Sequence, residues 1–236
     1  MMSNRHVVSS LALNRLAMSV CVLIVSMLAS SCGTASNTKV AVEVVPAKVS
    51  FKHSEIDGAK ASKQASNHDV AQTDWLFSIT PELDFSIKDE KKKDNQYCIG
   101  LEITAVRIKL ALPIDVSIAK DAPAWVKEHE NGHVEICRTV YKNARECATA
   151  AANGILNKRF EGVGADKKLA LSNALQIAAQ EVAAPYRGNV GSEADAVSSR
   201  YDQLCETAEY QGKVQKAIAD AFAQVKSEKE KQAATK

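Results

Sequence analysis

The chain has 236 residues, of which 46% are hydrophobic, a length and composition that suit one globular domain with short extensions. Lysine and arginine together number 30 and aspartate and glutamate 28, and residues 1–31 contain two of the arginines and no acid. Without that segment the charges balance, so the sequence lacks the basic surface that binds nucleic acid, and we expect no nucleic-acid partner.

Residues 1–31 are predicted to be a signal peptide. Arg5 and Arg15 form a basic start, and the apolar run from Leu16 to Ala29 has the length of a signal-peptide core rather than of a membrane span. Small residues and then Cys32 follow, which resembles a bacterial lipobox with Cys32 as the lipidated residue. We expect export to the periplasm and a lipid tether to the outer membrane. Plain secretion after cleavage at the same bond and an uncleaved anchor are the alternatives.

Residues 32–40 are predicted to be a tether and residues 41–120 a β-rich part. Apolar and polar residues alternate from Asp74 to Ile87, which is typical of strands. They alternate again from Tyr97 to Ile118 with one shift of phase, which predicts two strands or one bulged strand. Residues 52–72 are predicted to be a polar loop, and residues 88–95 are predicted to be a charged turn.

Residues 121–232 are predicted to be a helical part of the same domain. Apolar residues recur there at helical spacing, which predicts one helix of about 30 residues from position 121 onward. A turn is expected at Gly162 to Gly164. A second helix is expected from Lys167 to Ala184, where Pro185 ends it. A third helix is expected from Ser192 to about Lys226, with a break near Gly212. Strands followed by helices indicate an α+β fold, with a small antiparallel sheet packed on the helices.

Five residues in the first predicted helix, His129-Glu130-Asn131-Gly132-His133, match the pattern H-E-x-x-H. Positions i and i+4 of a helix share a face, so His129 and His133 can both bind one Zn²⁺ ion. Glu130 can then act as the general base on a zinc-bound water that attacks a peptide carbonyl. The motif therefore predicts a zinc metallopeptidase acting on a peptide or protein substrate.

The third zinc ligand is not part of this motif, since no histidine follows His133. We predict Glu209, because Glu206 lies three residues before it on the same helix face and either carboxylate can bind or orient. Further candidates are Glu181 and Asp202, and also His53 and His68 if their loop folds over the cleft. Glu146 is excluded, since a straight helix would hold it about 20 Å from His133. Tyr201 and Tyr210 are candidates for polarising an oxyanion.

The stretch from Ala124 to Gln215 resembles a family of exported bacterial zinc-dependent proteases of unknown substrate. The matching residues are the H-E-x-x-H pattern, Glu135-Ile136, Tyr201-Asp202 and Gly212-x-x-Gln215. The family usually has a histidine before that glycine, whereas this chain has Gln211. If the histidine is the family's third ligand, the resemblance implies that Glu209 or Gln211 replaces it.

Four cysteines remain after the signal peptide and Cys32, and an even number in an exported protein predicts two disulfides. If Cys137 and Cys147 share one helix, ten residues separate them by about 15 Å, too far for a bridge. Cys98 and Cys205 would then each pair with one of them.

Two functions are open at this point. The first is a secreted or lipid-anchored zinc metallopeptidase. The second is a non-catalytic envelope protein whose degenerate metallopeptidase site binds a partner, or binds zinc without turnover. The complete H-E-x-x-H pattern favours the first function, and the missing downstream histidine favours the second.

Overall fold

A computed structural model describes residues 39–54 and 71–235, so the predicted signal peptide, Cys32 and His68 lie outside the described residues. The strands are β1 (Val40–Val44), β2 (Lys48–Ser54), β3 (Ala71–Trp75), β4 (Ser78–Lys93), β5 (Gln96–Ala111), β6 (Pro113–Ala119) and β7 (Arg159–Gly164). The helices are α1 (Ala124–Tyr141), α2 (Ala144–Asn153), α3 (Lys167–Tyr186), α4 (Ser192–Cys205) and α5 (Val214–Ala234). The α+β class is confirmed, with most strands preceding the helices.

The strands form two mixed sheets in place of the single antiparallel sheet predicted. In the first sheet, β5 pairs in parallel with β1 and antiparallel with β4 and β7. In the second sheet, β6 lies between β2, which is parallel to it, and β3, which is antiparallel. Both parallel pairs join strands far apart in sequence, and local alternation carries no information about such pairs.

The phase shift in the second alternating stretch comes from one bulged strand, as one of the two alternatives predicted. Ile103 pairs with Phe85 and Ala105 with Asp84, so Thr104 is an extra residue in β5. Its insertion brings Val106 back to the buried face. The predicted charged turn is shorter than expected, because β4 continues to Lys93 and a two-residue turn with positive φ angles joins it to β5.

The segment Gly162–Gly164 is part of β7 and not a turn. A Cβ on Gly162 would overlap the backbone of α3 at Ala170, so the glycine lets the helix lie directly on the strand. The helix α3 presents Ala170, Ala174 and Ala178 as fully buried small residues. The two glycines that predicted a turn therefore allow close packing of α3 on β7.

Three predicted helix boundaries differ in the structure. The long first helix is two helices, because α1 ends at Tyr141 and α2 begins at Ala144. Pro185 does not end α3, which continues through a π-helical turn into α4. The last helix continues beyond Lys226 to Ala234, and Arg200 and Glu193 of α4 form ion pairs with this added part.

The helices divide between the two sheets. α2 and α3 pack on the four-stranded sheet, whereas α1 packs on β3 and β6 of the other sheet. α4 and α5 pack on α1, where Ile136 and Tyr201 form part of a separate buried cluster. None of the helices in the described part of the chain is long and apolar enough to cross a membrane.

Candidate metal centre

The helix α1 places the three motif side chains against the second sheet and α4. His133 and Glu130 are 7% and 4% exposed, and the side chain of His129 is 12% exposed. The two histidines therefore lie on the buried side of α1, where a surface stripe would not place them. Burial of three polar side chains on one turn demands partners for each of them.

A carboxylate from α4 meets both histidines. Oδ1 of Asp202 lies 3.1 Å from Nε2 of His129 and 3.0 Å from Nε2 of His133, and the two nitrogens are 3.3 Å apart. Neighbouring donors in a tetrahedral zinc site are about 3.3 Å apart, because each lies about 2.0–2.1 Å from the ion. These three residues therefore form a group that can hold a metal ion.

The donor set suits the ion that the motif predicts. Two imidazole nitrogens and one carboxylate oxygen are zinc ligands in catalytic sites, which keep a fourth position for water or substrate. Asp202 is the more open side of the group, with 35% of its side chain exposed. The residues present thus fit a metal ion on chemistry and on spacing.

The predicted third ligand, Glu209, is not in this group. Its carboxylate is exposed and forms an ion pair with Lys216, at 2.9 Å. Glu206 is an exposed residue at the C-terminal end of α4, and Gln211 is exposed after the short 3₁₀ turn. Asp202 lies beside the two histidines in place of these residues, and Glu209 and Gln211 follow the end of α4 in the 3₁₀ turn and after it.

From the sequence alone, Asp202 is a weaker candidate ligand than Glu209 and Glu206. The available signal was its place beside Tyr201 in the pair shared with the family that the chain resembles. Glu209 was preferred because Glu206 precedes it by three residues on an assumed continuous helix. That assumption is wrong, since α4 ends at Cys205 and Glu209 lies in a separate 3₁₀ turn.

The hydroxyls of the two candidate tyrosines donate to other residues. The Tyr201 hydroxyl donates to the backbone carbonyl of His129, at 3.2 Å, and its ring stacks on the His129 ring, with centroids 5.0 Å apart. The Tyr210 hydroxyl donates to Oδ2 of Asp220, at 2.7 Å. An oxyanion role for either tyrosine stays a prediction.

Strand β3 holds the other side of the group, a contribution that the sequence analysis missed. Thr73 donates to Oε2 of Glu130, at 2.6 Å, and the Trp75 ring stacks on His133 with centroids 6.0 Å apart. Trp75 also donates from Nε1 to Asp195 of α4, at 3.1 Å. Thr73 and Trp75 are two residues apart and share a face of the strand. The predicted strand began at Asp74, so Thr73 lay outside it.

The charges in the group are strongly coupled. Burial alone would lower the pKa of His129, but hydrogen bonds with Asp202 and Cys205 outweigh it and raise the pKa to about 9. Burial alone would raise the pKa of Asp202, but hydrogen bonds from the two histidines hold it well below its usual range. Among the described residues, Nδ1 of His133 is buried without a hydrogen-bond partner.

All four cysteines of the predicted disulfides are free thiols in the structure: Cys98, Cys137, Cys147 and Cys205. Cys137 and Cys147 lie on different helices, so the distance argument against their pairing no longer holds. Burial raises the pKa of the Cys137 thiol to about 12, which keeps it protonated and unreactive. The disulfides stay a prediction for the exported protein.

Comparison with known proteins finds no match to the chain among protein-family models, curated proteins or solved structures. The fold and the site thus define an α+β protein with a candidate metal centre of two histidines and one aspartate. The resemblance to exported zinc-dependent proteases rests on the matched residues of the sequence.

Proposed function

We propose that the protein is an exported zinc-dependent peptidase, with His129, His133 and Asp202 as the zinc ligands and Glu130 as the general base. The observation that carries this proposal is that two histidine nitrogens of the H-E-x-x-H motif and one carboxylate oxygen of Asp202 lie 3.0–3.3 Å from one another. A chance pair of helical histidines would not be expected to meet a carboxylate from a distant helix at that spacing.

A zinc ion held by these residues supplies a Lewis acid and lowers the pKa of water towards neutrality. Glu130 follows His129 on α1 and is not one of the three grouped donors, so its carboxylate is free to take up a proton. Thr73 orients that carboxylate by donating to one oxygen, which leaves the other oxygen for the attacking water. Glu130 then passes the proton to the leaving amine of a peptide bond.

The metal content of the purified chain is the first test of this proposal. We expect about one zinc ion per chain after purification without chelator, together with cleavage of an unstructured protein substrate that stops on chelation and returns with zinc. Less than about a tenth of an equivalent of zinc after incubation with the metal would contradict the proposal.

A second candidate is a non-catalytic protein that binds zinc without turnover. The observation that favours it is Cys205, which lies at the end of α4 and whose thiol raises the pKa of His129. A fourth ligand from a thiolate would close the site, as in structural zinc centres. In the cobalt-substituted protein, a thiolate-to-cobalt charge-transfer band that disappears in Cys205→Ser would establish this candidate, and its absence would favour the peptidase.

The proposed location is the periplasmic side of the outer membrane, through a lipid on Cys32. The basic start, short apolar run and small residues before Cys32 support this proposal. We expect the chain in the membrane fraction of a bacterial host, and we expect Cys32→Ala to appear in the soluble periplasmic fraction. Retention of the uncleaved variant in the inner membrane would indicate that residues 1–31 are a membrane anchor instead.

A further inference from the structure

The third ligand depends on how α4 lies on α1. His129 and His133 are fixed relative to each other by one turn of α1, but Asp202 belongs to a helix that follows two other helices and a strand. A displacement of α4 by about 1 Å would take the carboxylate out of reach of a zinc ion, whose bonds tolerate about 0.2 Å. Some contact must therefore set the position of α4 at this point.

Tyr201, the residue before Asp202, contacts both ligand histidines of α1. It is fully buried, and its ring stacks on His129 at an interplanar angle of 23° and meets the His133 ring edge-on, with centroids 5.1 Å apart. Its hydroxyl donates to the carbonyl of His129, so one side chain contacts the ring and the backbone of the same ligand.

Gly132 makes this contact possible. A Cβ built on Gly132 would lie 2.6 Å from Cζ of Tyr201 and closer still to the hydroxyl oxygen, and its three nearest neighbours are all atoms of the Tyr201 side chain. The tyrosine therefore occupies the space that any side chain at position 132 would need. Within an α-helix, alanine is favoured over glycine by about 1 kcal/mol, so α1 itself gives no reason for a glycine here.

We propose that Tyr201 is a positioning residue of the metal centre, which holds α4 on α1 through the space left by Gly132 and so places Asp202 against both histidines. This inference rests on the proposed function only in that the three residues bind zinc. It assigns Tyr201 a role without substrate contact, and it explains why a glycine lies between Glu130 and His133.

The test is a double-mutant cycle on the full chain, with Gly132→Ala, Tyr201→Ala and both changes together. The zinc Kd is measured by chelator competition and the ligand geometry by the cobalt absorption spectrum. We expect each single variant to weaken zinc binding by about 10–100-fold and to change the cobalt bands. We expect the double variant to be no weaker than Tyr201→Ala, because the added methyl group then meets no ring.

Tyr186 provides the matched control, since it is also a fully buried tyrosine but lies at the end of α3. Tyr186→Ala should lower the melting temperature while leaving the zinc Kd and the cobalt spectrum of the folded protein unchanged. If Tyr201→Ala does not fold, Tyr201→Phe and Tyr186→Phe carry the test. Loss of one hydroxyl should then weaken zinc binding about fivefold at position 201 and not at position 186.

Three results overturn the inference. They are additive losses in the double variant, a wild-type zinc Kd with unchanged cobalt bands in Tyr201→Phe, and an equal loss in the Tyr186 variants. Asp202→Ala separates this failure from failure of the proposed function. If Asp202→Ala loses zinc and the Tyr201 variants do not, only the positioning role is wrong, whereas wild-type binding in Asp202→Ala contradicts the metal centre itself.

Discussion

The two sides of the metal centre are held in different ways. On the α1 side, His129, Glu130 and His133 lie within five consecutive residues, and β3 supports them through Thr73 and Trp75. On the α4 side, a single ligand is present, and its position depends on the packing of α4 against α1. The α1 side is therefore a local structure, and the α4 side is a tertiary one.

Because of this difference, the proposed general base and the third candidate ligand depend on different parts of the structure. The α1 side contains the proposed general base and two ligands whose spacing any α-helix would supply. The α4 side completes the set of donors and is only as accurate as the contacts between two helices. We expect loss of the Glu130 carboxylate on the α1 side to act on turnover, and we expect changes on the α4 side to act on metal affinity.

The largest expected effect is on the α1 side, in Glu130→Gln. Glutamine keeps the shape of the side chain and an oxygen that accepts from Thr73, so the fold and the bound zinc should remain. Loss of the proton acceptor should lower kcat by about 1000-fold. The measurement is cleavage of an unstructured protein, with zinc content determined on the same sample.

Glu128→Gln is the control, since Glu128 is exposed on the same helix two residues earlier. Its activity should match the wild type. Equal activity in Glu130→Gln would mean that another group is the base or that the cleavage comes from a contaminant.

The next largest effect is on the α4 side and compares two carboxylates. Asp202→Ala should weaken zinc binding by more than about 100-fold, because removal of a ligand exceeds the usual loss for an outer contact. Glu209→Ala should leave the zinc Kd unchanged, since its carboxylate pairs with Lys216 on the surface. The zinc Kd of both variants is measured by chelator competition. Zinc loss in Glu209→Ala alone would restore Glu209 as the third ligand.

A smaller effect is expected from pH. The pKa of His129 is raised to about 9, so at pH 7 the metal-free ring holds a proton that zinc must displace. As the pH rises towards 9 this competition weakens, and the zinc Kd should fall by about tenfold per pH unit between pH 7 and 8.5. Chelator competition, calibrated at each pH, measures it. An equal Kd at pH 7 and pH 8 would show that no proton leaves on binding.

The smallest effect tests the support that β3 gives to α1. Thr73→Val keeps the shape of the side chain but removes its hydrogen bond to the buried Glu130. We expect kcat to fall by about 5–10-fold with the zinc Kd unchanged, because only the orientation of the base is affected. Thr80→Val, on an exposed position of β4, is the control and should retain full activity. An equal decrease in both variants would assign the effect to general destabilisation.

The features predicted from sequence were those with a local cause. The alternation with a phase shift predicted two strands or one bulged strand, and the structure has a bulge at Thr104 of β5. The helical spacing placed the two histidines on a buried face. Pro185, Gly162 and the end of α4 were misread, because neighbours distant in sequence decide their effect. Pro185 is accommodated by a π-helical turn, and Gly162 lies under the backbone of α3.

The sequence by itself determined the α+β class and two of the three donors, because helix periodicity converts a spacing of four residues into one face. Only the tertiary structure selected Asp202 over Glu209, since both carboxylates are equally suitable ligands by residue type. The selection follows from where α4 ends and from the contact of Tyr201 with Gly132, and neither is encoded within one element. The H-E-x-x-H motif therefore predicts zinc binding, and the packing of α4 on α1 brings the third candidate ligand to the two histidines.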